Sequence, residues 1–426
     1  MSVGTFPITG WSFVYNNSRQ ISQAVVTTVR LRPHPAGLSI VVESDDNDRG
    51  FEAMHTLARH ELHHADGRRL LVYGTLSGSL HDEPATEEPQ AIHKRLDPFT
   101  ETWVGIAPAR NARPLDSAAE TSEECPFCPG GSEVPFAYEA AVFDNRFPSF
   151  CATPPVPPAL DWPTGPALGR CEVVLYTHRH EASFGRLSPT ELSRVLAIWI
   201  DRARELWNDP AHAYVCVFEN RGAEVGATIA HPHGQIYALD HVPPTVAAKA
   251  AAHRAHRERS GSCLSCDATA TDARSDRVIS NNDSFVVAVP FAARWPFEVA
   301  VRARRHGLGR LADLNPIEQR DLARALRDVV LRYDALFGFP LPYMMVAQEA
   351  PAGESDWHLA FELYPPHRAP EAMKIRASVE TGLGLFLNDV VPEDAARRLA
   401  ALAVPAEPIE LDTLFTVVQP QVASLQ

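Results

Sequence analysis

The chain has 426 residues, 45% of them hydrophobic and 22% charged, and a formal net charge of −14. Such values fit a globular enzyme of two or three domains, and an acidic excess spread along the chain speaks against a nucleic-acid surface, which needs basic stripes. No apolar run approaches the ~20 residues of a membrane span, and the first residues lack a secretory signal pattern. Seven cysteines, an odd number in a chain this long, suit a reducing compartment. The expected protein works in the cytoplasm, on no nucleic acid and no membrane.

In chain order, residues 1–55 read as a leader of unclear structure. Residues 56–90 hold one strand-like run, Arg69 to Gly74, and a linker from His81 to Gln90 rich in Pro, Glu and Asp. Two α+β units follow, expected over 91–260 and 270–426, and they repeat one pattern. In the first, a strand candidate runs from Glu172 to Thr177. Ser188-Pro189-Thr190-Glu191 then forms a capping box with proline at the first helical position. Leu192, Val195, Leu196, Trp199, Ala203 and Leu206 recur at helical spacing. A second strand candidate, Tyr214 to Phe218, leads through a glycine-bearing loop to His231…Tyr237. In the second unit, Glu298 to Arg302 is the strand, Asn315-Pro316-Ile317-Glu318 repeats the cap, and Leu322, Leu326, Val329, Val330, Tyr333 and Leu336 repeat the stripe. Gly338 with Pro340 ends that helix. Tyr343 to Val346 and His358…Tyr364 close the unit.

The offsets agree. Glu172 to His180 and Glu298 to His306 are both 8 positions; His180 to His231 is 51 and His306 to His358 is 52; His231 to Tyr237 and His358 to Tyr364 are both 6. The repeat separates the two histidines of His231-Pro232-His233-Gly234-Gln235. His231 has a counterpart in His358, whereas His233 is matched by Ala360, which carries no chemistry. The first unit is therefore the expected working copy. Pro232 suits a strand end, and Gly234 admits close approach of another group to the backbone.

Cys125-Pro126-Phe127-Cys128-Pro129-Gly130 is a CxxC on a Pro/Gly turn, the form that presents two thiolates to one metal. A redox pair of the thioredoxin kind would precede a helix instead. With His180 and His231 it would complete a Cys2His2 zinc site, closed and hence structural; a pair of reduced surface thiols is the alternative. Cys263-Leu264-Ser265-Cys266 repeats the spacing without evident histidine partners, and a weak or absent metal site is expected there.

With Arg95-Leu96-Asp97-Pro98…Trp103-Val104…Arg110-Asn111-Ala112-Arg113-Pro114, Phe143-Asp144-Asn145-Arg146-Phe147-Pro148, Phe218-Glu219-Asn220-Arg221-Gly222…Gly226, Arg294-Trp295-Pro296-Phe297-Glu298 and Lys374…Glu380-Thr381-Gly382 added in that order, the chain from about Asp66 to Leu402 resembles the galactose-1-phosphate uridylyltransferase family of the histidine-triad superfamily. The resemblance implies an α+β fold of two tandem histidine-triad-like repeats, each an antiparallel sheet with packed helices. It implies a double displacement: His233 takes UMP from UDP-glucose and passes it to galactose 1-phosphate. Neutral imidazole suits that task near pH 7. Gln235 would donate to a phosphoryl oxygen. Asn220, Gly226 and Thr228 match the family's phosphate loop, with Thr where Ser is usual. Arg110, Arg113 and Asn145 match nucleotide contacts, and Lys374 and Glu380 match residues of the phosphate and hexose region, with Lys374 reaching it from the partner subunit of a homodimer with shared active sites.

Some members hold a second metal through a glutamate and three histidines. The positions here are Lys249, Gln348, Ala360 and Glu362, so zinc is expected as the structural cofactor and no second metal. A glutamine that follows in the family is Phe386 or Leu387 here, which loosens the inference to galactose. ADP-glucose phosphorylases share the N-terminal site and the Glu380-Thr381-Gly382…Asn388 pattern, and a catalytically silent zinc-stabilised nucleotide-binding protein is the reading from another class. Residues 1–55 match nothing in the family, and Met54 stands just before the family-like start.

Overall fold

The computed structural model describes residues 54–80, 91–112, 125–404 and 413–419, and the backbone of two further strands. Those two, β1 (Thr28–His34) and β2 (Gly37–Glu43), pair antiparallel from Thr28↔Glu43 to His34↔Gly37 and belong to a separate unit, residues 1–53.

In the second unit, β3 (Met54–His63), β4 (Arg69–Tyr73), β5 (His93–Asp97) and β6 (Thr102–Ile106) precede a 3-10 turn, Pro108–Ala112. Then come β7 (Ala140–Asp144), β8 (Thr164–Pro166), β9 (Gly169–Leu175), helix α1 (Pro189–Trp207), β10 (Tyr214–Arg221), β11 (His233–Leu239), α2 (Pro244–Ser260) and α3 (Leu264–Asp272). The chain continues with β12 (Val278–Asn281), β13 (Phe285–Ala288), β14 (Val299–Ala303), α4 (Pro316–Leu336), β15 (Tyr343–Gln348), β16 (Ala360–Tyr364), β17 (His367–Ala369), β18 (Ala372–Met373), α5 (Ser378–Leu383), α6 (Pro392–Ala400) and β19 (Leu414–Val418).

The repeat is real in the strand order. Among the described residues one sheet runs β12-β13-β14-β16-β15-β10-β11-β9-β7-β4-β3-β19. Read outward from the β15–β10 seam, each arm begins with the same three elements: β10, β11 and β9 on one side, β15, β16 and β14 on the other. The two arms are not separate sheets, because Phe218↔Val346 to Arg221↔Tyr343 join them into one. Only β19 with β3 pairs parallel; the remaining neighbours are antiparallel.

Both predicted helix starts form. Ser188 and Glu191 close one capping box and Asn315 and Glu318 the other, each with proline at the first turn. Gly338, at φ +80°, follows the end of α4 as its sequence anticipates. Strand alternation sends Val174 and Tyr176, Val215 and Val217, Ile236 and Ala238, Met345 and Ala347 to the core shared with α1 and α4. Trp199 of α1 ties the copies together there, stacking on Phe184 (5.8 Å) and on Phe361 (5.7 Å). On the opposite face, Val173 and Leu175 pack with Cys125, Phe127 and Cys128, so the CxxC knuckle covers the first arm.

One buried carboxyl makes stability pH-dependent. Glu349, next after β15, is fully buried; its Oε2 accepts from Trp207 Nε1 (3.0 Å) and the Leu311 amide (3.3 Å), while Oε1 has no partner. Burial pushes its carboxyl up to about 7 from an ordinary 4.5. A folded-state value above the unfolded one means the folded chain holds the proton between those limits. Its stabilisation is complete below pH 4.5 and is lost as pH rises through 7, by up to about 3 kcal/mol. Denaturant melts of the wild type and Glu349→Gln across pH 5–8 should converge at low pH and favour the variant above 7; parallel curves would contradict this.

Candidate active site and metal clusters

His231 lies just before β11 and His233 opens it, with Pro232 between them outside the ladder. The strand is held by β9 through His233↔Leu175 and by β10 through Phe218↔Gln235. Because Ile236 and Ala238 face the helices, His233 and Gln235 face the other way. They line a cavity of about 370 Å³ together with Phe143, Asn145, Asn220, Gly226 and Thr228. A second cavity of about 220 Å³ meets it at His233, Asn220 and Thr228. Gly226, at φ +82°, turns the loop between β10 and β11 in a conformation that suits glycine.

His233 Nδ1 lies 2.8 Å from the His231 carbonyl oxygen. A carbonyl only accepts, so Nδ1 carries the proton and Nε2 keeps its lone pair. Burial lowers the tendency of this ring to protonate, which preserves the neutral form. Phe127 stands edge-on against it at 5.1 Å.

His231 is fully buried and serves a different task. Its Nε2 donates to the Thr177 carbonyl (2.8 Å), which turns Nδ1 toward Cys128 Sγ at 3.5 Å. His180 Nδ1 is 3.4 Å from the same sulfur. Cys125, Cys128, His180 and His231 thus converge, their ligand atoms within 4.8 Å of one another. The Thr177 carbonyl that fixes the His231 tautomer is the usual outer partner of a ligating histidine.

The second CxxC does have histidine partners, contrary to the reading of its sequence. Cys263 and Cys266 meet His306 and His358 in a second four-residue cluster of the same kind. Cys266 Sγ is 3.4 Å from His306 Nδ1 and 3.3 Å from His358 Nε2, and His358 Nδ1 donates to the Ala303 carbonyl (2.8 Å). The matching offsets equate His306 with His180 and His358 with His231; the α2–α3 hairpin, which brings the thiols to these histidines just after β14 and just before β16, depends on contacts distant in the chain. The described residues thus bring together two Cys/His clusters, each of which could hold a metal ion. At the other considered positions, Lys249 Nζ bonds Gln348 (3.0 Å) and Glu362 (2.7 Å), so an ammonium already neutralises that carboxylate.

Arg110, on the 3-10 turn, donates to the Phe147 carbonyl (3.2 Å) beside the larger cavity. Arg113 lies outside the described residues. Lys374 and Glu380 do not line the cavities around His233; they pair with each other at 2.7 Å on the β18–α5 segment.

Family models for the N-terminal and C-terminal domains of galactose-1-phosphate uridyl transferase match residues 82–243 and 249–407. The galactose-1-phosphate uridylyltransferase of Thermotoga maritima is 37% identical over 72% of this chain and 96% of its own. The chain belongs to the galactose-1-phosphate uridylyltransferase family. The Streptomyces lividans member is 31% identical over 80% of this chain and 96% of its own. Among solved structures, a uridylyltransferase superposes with a TM-score of 0.66 at 32% identity, covering 72% of this chain and 97% of that one. An ADP-glucose phosphorylase from Arabidopsis thaliana, solved with ADP-glucose, gives 0.57 at 25% identity over 74% of this chain and all of that one. The α+β fold and the nucleotidylyltransferase class follow from this membership.

Proposed function

We propose that this family member moves UMP from UDP-glucose to galactose 1-phosphate through a uridylyl group held on His233. The carrying observation is the His233 Nδ1–His231 carbonyl bond, which leaves Nε2 as the free nucleophile in a cavity shared with Gln235, Asn220 and Thr228. Nε2 forms a bond to the α-phosphorus as the bond to glucose 1-phosphate breaks, and that phosphate leaves with the electron pair. The imidazole gains positive charge, which the carbonyl at Nδ1–H stabilises. Galactose 1-phosphate oxygen then attacks the same phosphorus and neutral imidazole departs. Gln235, Asn220 and Thr228 are the donors available to the phosphoryl oxygens, with Asn145 toward the nucleoside.

The two Cys2His2 clusters suit zinc, which favours tetrahedral thiolate and imidazole donors. Bound there it supplies folding energy, with no open position for chemistry. Lys374 and Glu380 sit on a segment that exposes Ile375 (77%), Leu383 (77%) and Leu385 (58%). That apolar surface supports a homodimer in which the pair reaches the partner's cavity, and sedimentation at twice 46.8 kDa is the expected result. The Arabidopsis relative supports the second reading, a phosphorylase with inorganic phosphate as acceptor. With the other proteins of this family being metabolic transferases by name, we place the protein in the cytoplasm.

The deciding assay presents UDP-glucose and ADP-glucose, each with galactose 1-phosphate or with phosphate. UDP-galactose and glucose 1-phosphate should appear only with the first donor and first acceptor. Release of a nucleoside diphosphate with phosphate alone would replace the transferase reading by the phosphorylase one.

A further inference from the structure

Directly behind the reacting strand lies a buried hydrogen-bonded bridge that the chemistry above does not use. Glu219 of β10 is 5% exposed, and its two oxygens accept from different tyrosines: Oε2 from Tyr176 Oη at 3.0 Å and Oε1 from Tyr343 Oη at 2.7 Å. Tyr176 follows β9, in the first copy, and Tyr343 opens β15, in the second. Arg221 lies over the Tyr343 ring at 5.6 Å and is paired with Asp334 at 2.8 Å, which anchors the far end.

The near end touches the site. A Cβ placed on Gly234 would fall 2.2 Å from Tyr176 Oη, so that hydroxyl rests against the backbone linking His233 to Gln235. Alternation puts Gly234 and Glu219 on the helix face and His233, Gln235 and Asn220 on the cavity face. Asn220 is also the residue next to Glu219. A carboxylate taken out of water is costly unless its oxygens are satisfied. Both are satisfied here by hydroxyls, which keeps the bridge in one geometry.

We infer that Tyr176, Glu219 and Tyr343 form a positioning network, through which the second copy, itself without a nucleophile, sets the placement of His233, Gln235 and Asn220 for attack on phosphorus. The requirement for glycine at 234 is part of it, since any side chain would displace the tyrosine. Reaction depends steeply on such placement: a misplacement of about 1 Å costs on the order of 10²-fold. This inference rests on the proposed covalent role of His233.

The test uses the full-length metal-loaded protein and UDP-glucose without acceptor, following uridylyl-protein formation in a single turnover by rapid quench and intact mass. Tyr176→Phe keeps the ring against Phe184 and Trp199 and removes only the hydroxyl. We expect Tyr176→Phe and Glu219→Gln each to slow adduct formation by about 10- to 100-fold at saturating UDP-glucose, with the KM within about twofold of wild type. The double variant should be no slower than the slower single, because the groups act as one unit. Tyr343→Phe should act in the same direction from across the seam. Should Glu219→Gln not fold, the two phenylalanine variants, which retain their rings, decide the question. Wild-type adduct rates in folded variants, or melting temperatures that fall while the rates hold, would overturn the network and leave the role of His233 intact. Absence of adduct in the wild type would instead overturn the covalent reading and this inference with it.

Discussion

Replacing His233 by glycine should abolish turnover of UDP-glucose, with a loss of roughly 10⁴- to 10⁶-fold, the range seen when a covalent nucleophile is removed. Neither flanking residue can substitute. His231 is fully buried, with Nε2 on the Thr177 carbonyl and Nδ1 turned to Cys128. Gln235 is a donor and no base. Across the seam the corresponding position is Ala360, so the second copy offers no replacement nucleophile. Stability should change little, because His233 makes one backbone hydrogen bond and an edge contact with Phe127. Steady-state assays and thermal melts on the same preparation separate these effects; a variant within tenfold of wild-type turnover would remove His233 from the chemistry.

Cys125→Ser should lower both metal content and stability. Wild-type protein is expected to carry two zinc ions per chain by elemental analysis, and this variant one. The apparent binding energy of a closed thiolate–imidazole site reaches about 10–16 kcal/mol in small zinc domains, so even a fraction of it exceeds a typical domain's margin of stability. The knuckle also packs Phe127 into the second core with Val173 and Leu175 and against His233. Activity should therefore fall with metal content. Cys266→Ser should likewise release one ion, from the more exposed cluster. Two ions retained in either variant would contradict the ligand assignment.

Much of this was legible in the residues because the signals are local. The two capping boxes and the glycine after α4 depend on neighbours three or four positions apart, and they formed as read. Matching offsets carried the repeat, and Pro232 does mark a strand start. What was hidden depends on distant segments. Phe218 pairs with Val346, 128 positions away, so the fusion of two sheets into one could not be read from either strand. The α2–α3 hairpin folds Cys263 and Cys266 onto histidines that the repeat had already singled out. Gly234 was understood as a place of close approach, but that the approaching group is Tyr176, backed by Glu219, needed the packed sheet. Lys374 and Glu380, assigned to the substrate by resemblance, neutralise each other away from His233 in the single chain.

The covalent claim is tested most directly by intact mass. Protein is mixed with UDP-glucose alone, desalted and weighed, and the adduct is located by peptide fragmentation. A mass increase of one uridylyl group on His233, discharged on adding galactose 1-phosphate with formation of UDP-galactose, is the predicted result. Transfer that proceeds with no uridylyl-protein at any time, or an adduct on another residue, would contradict the account.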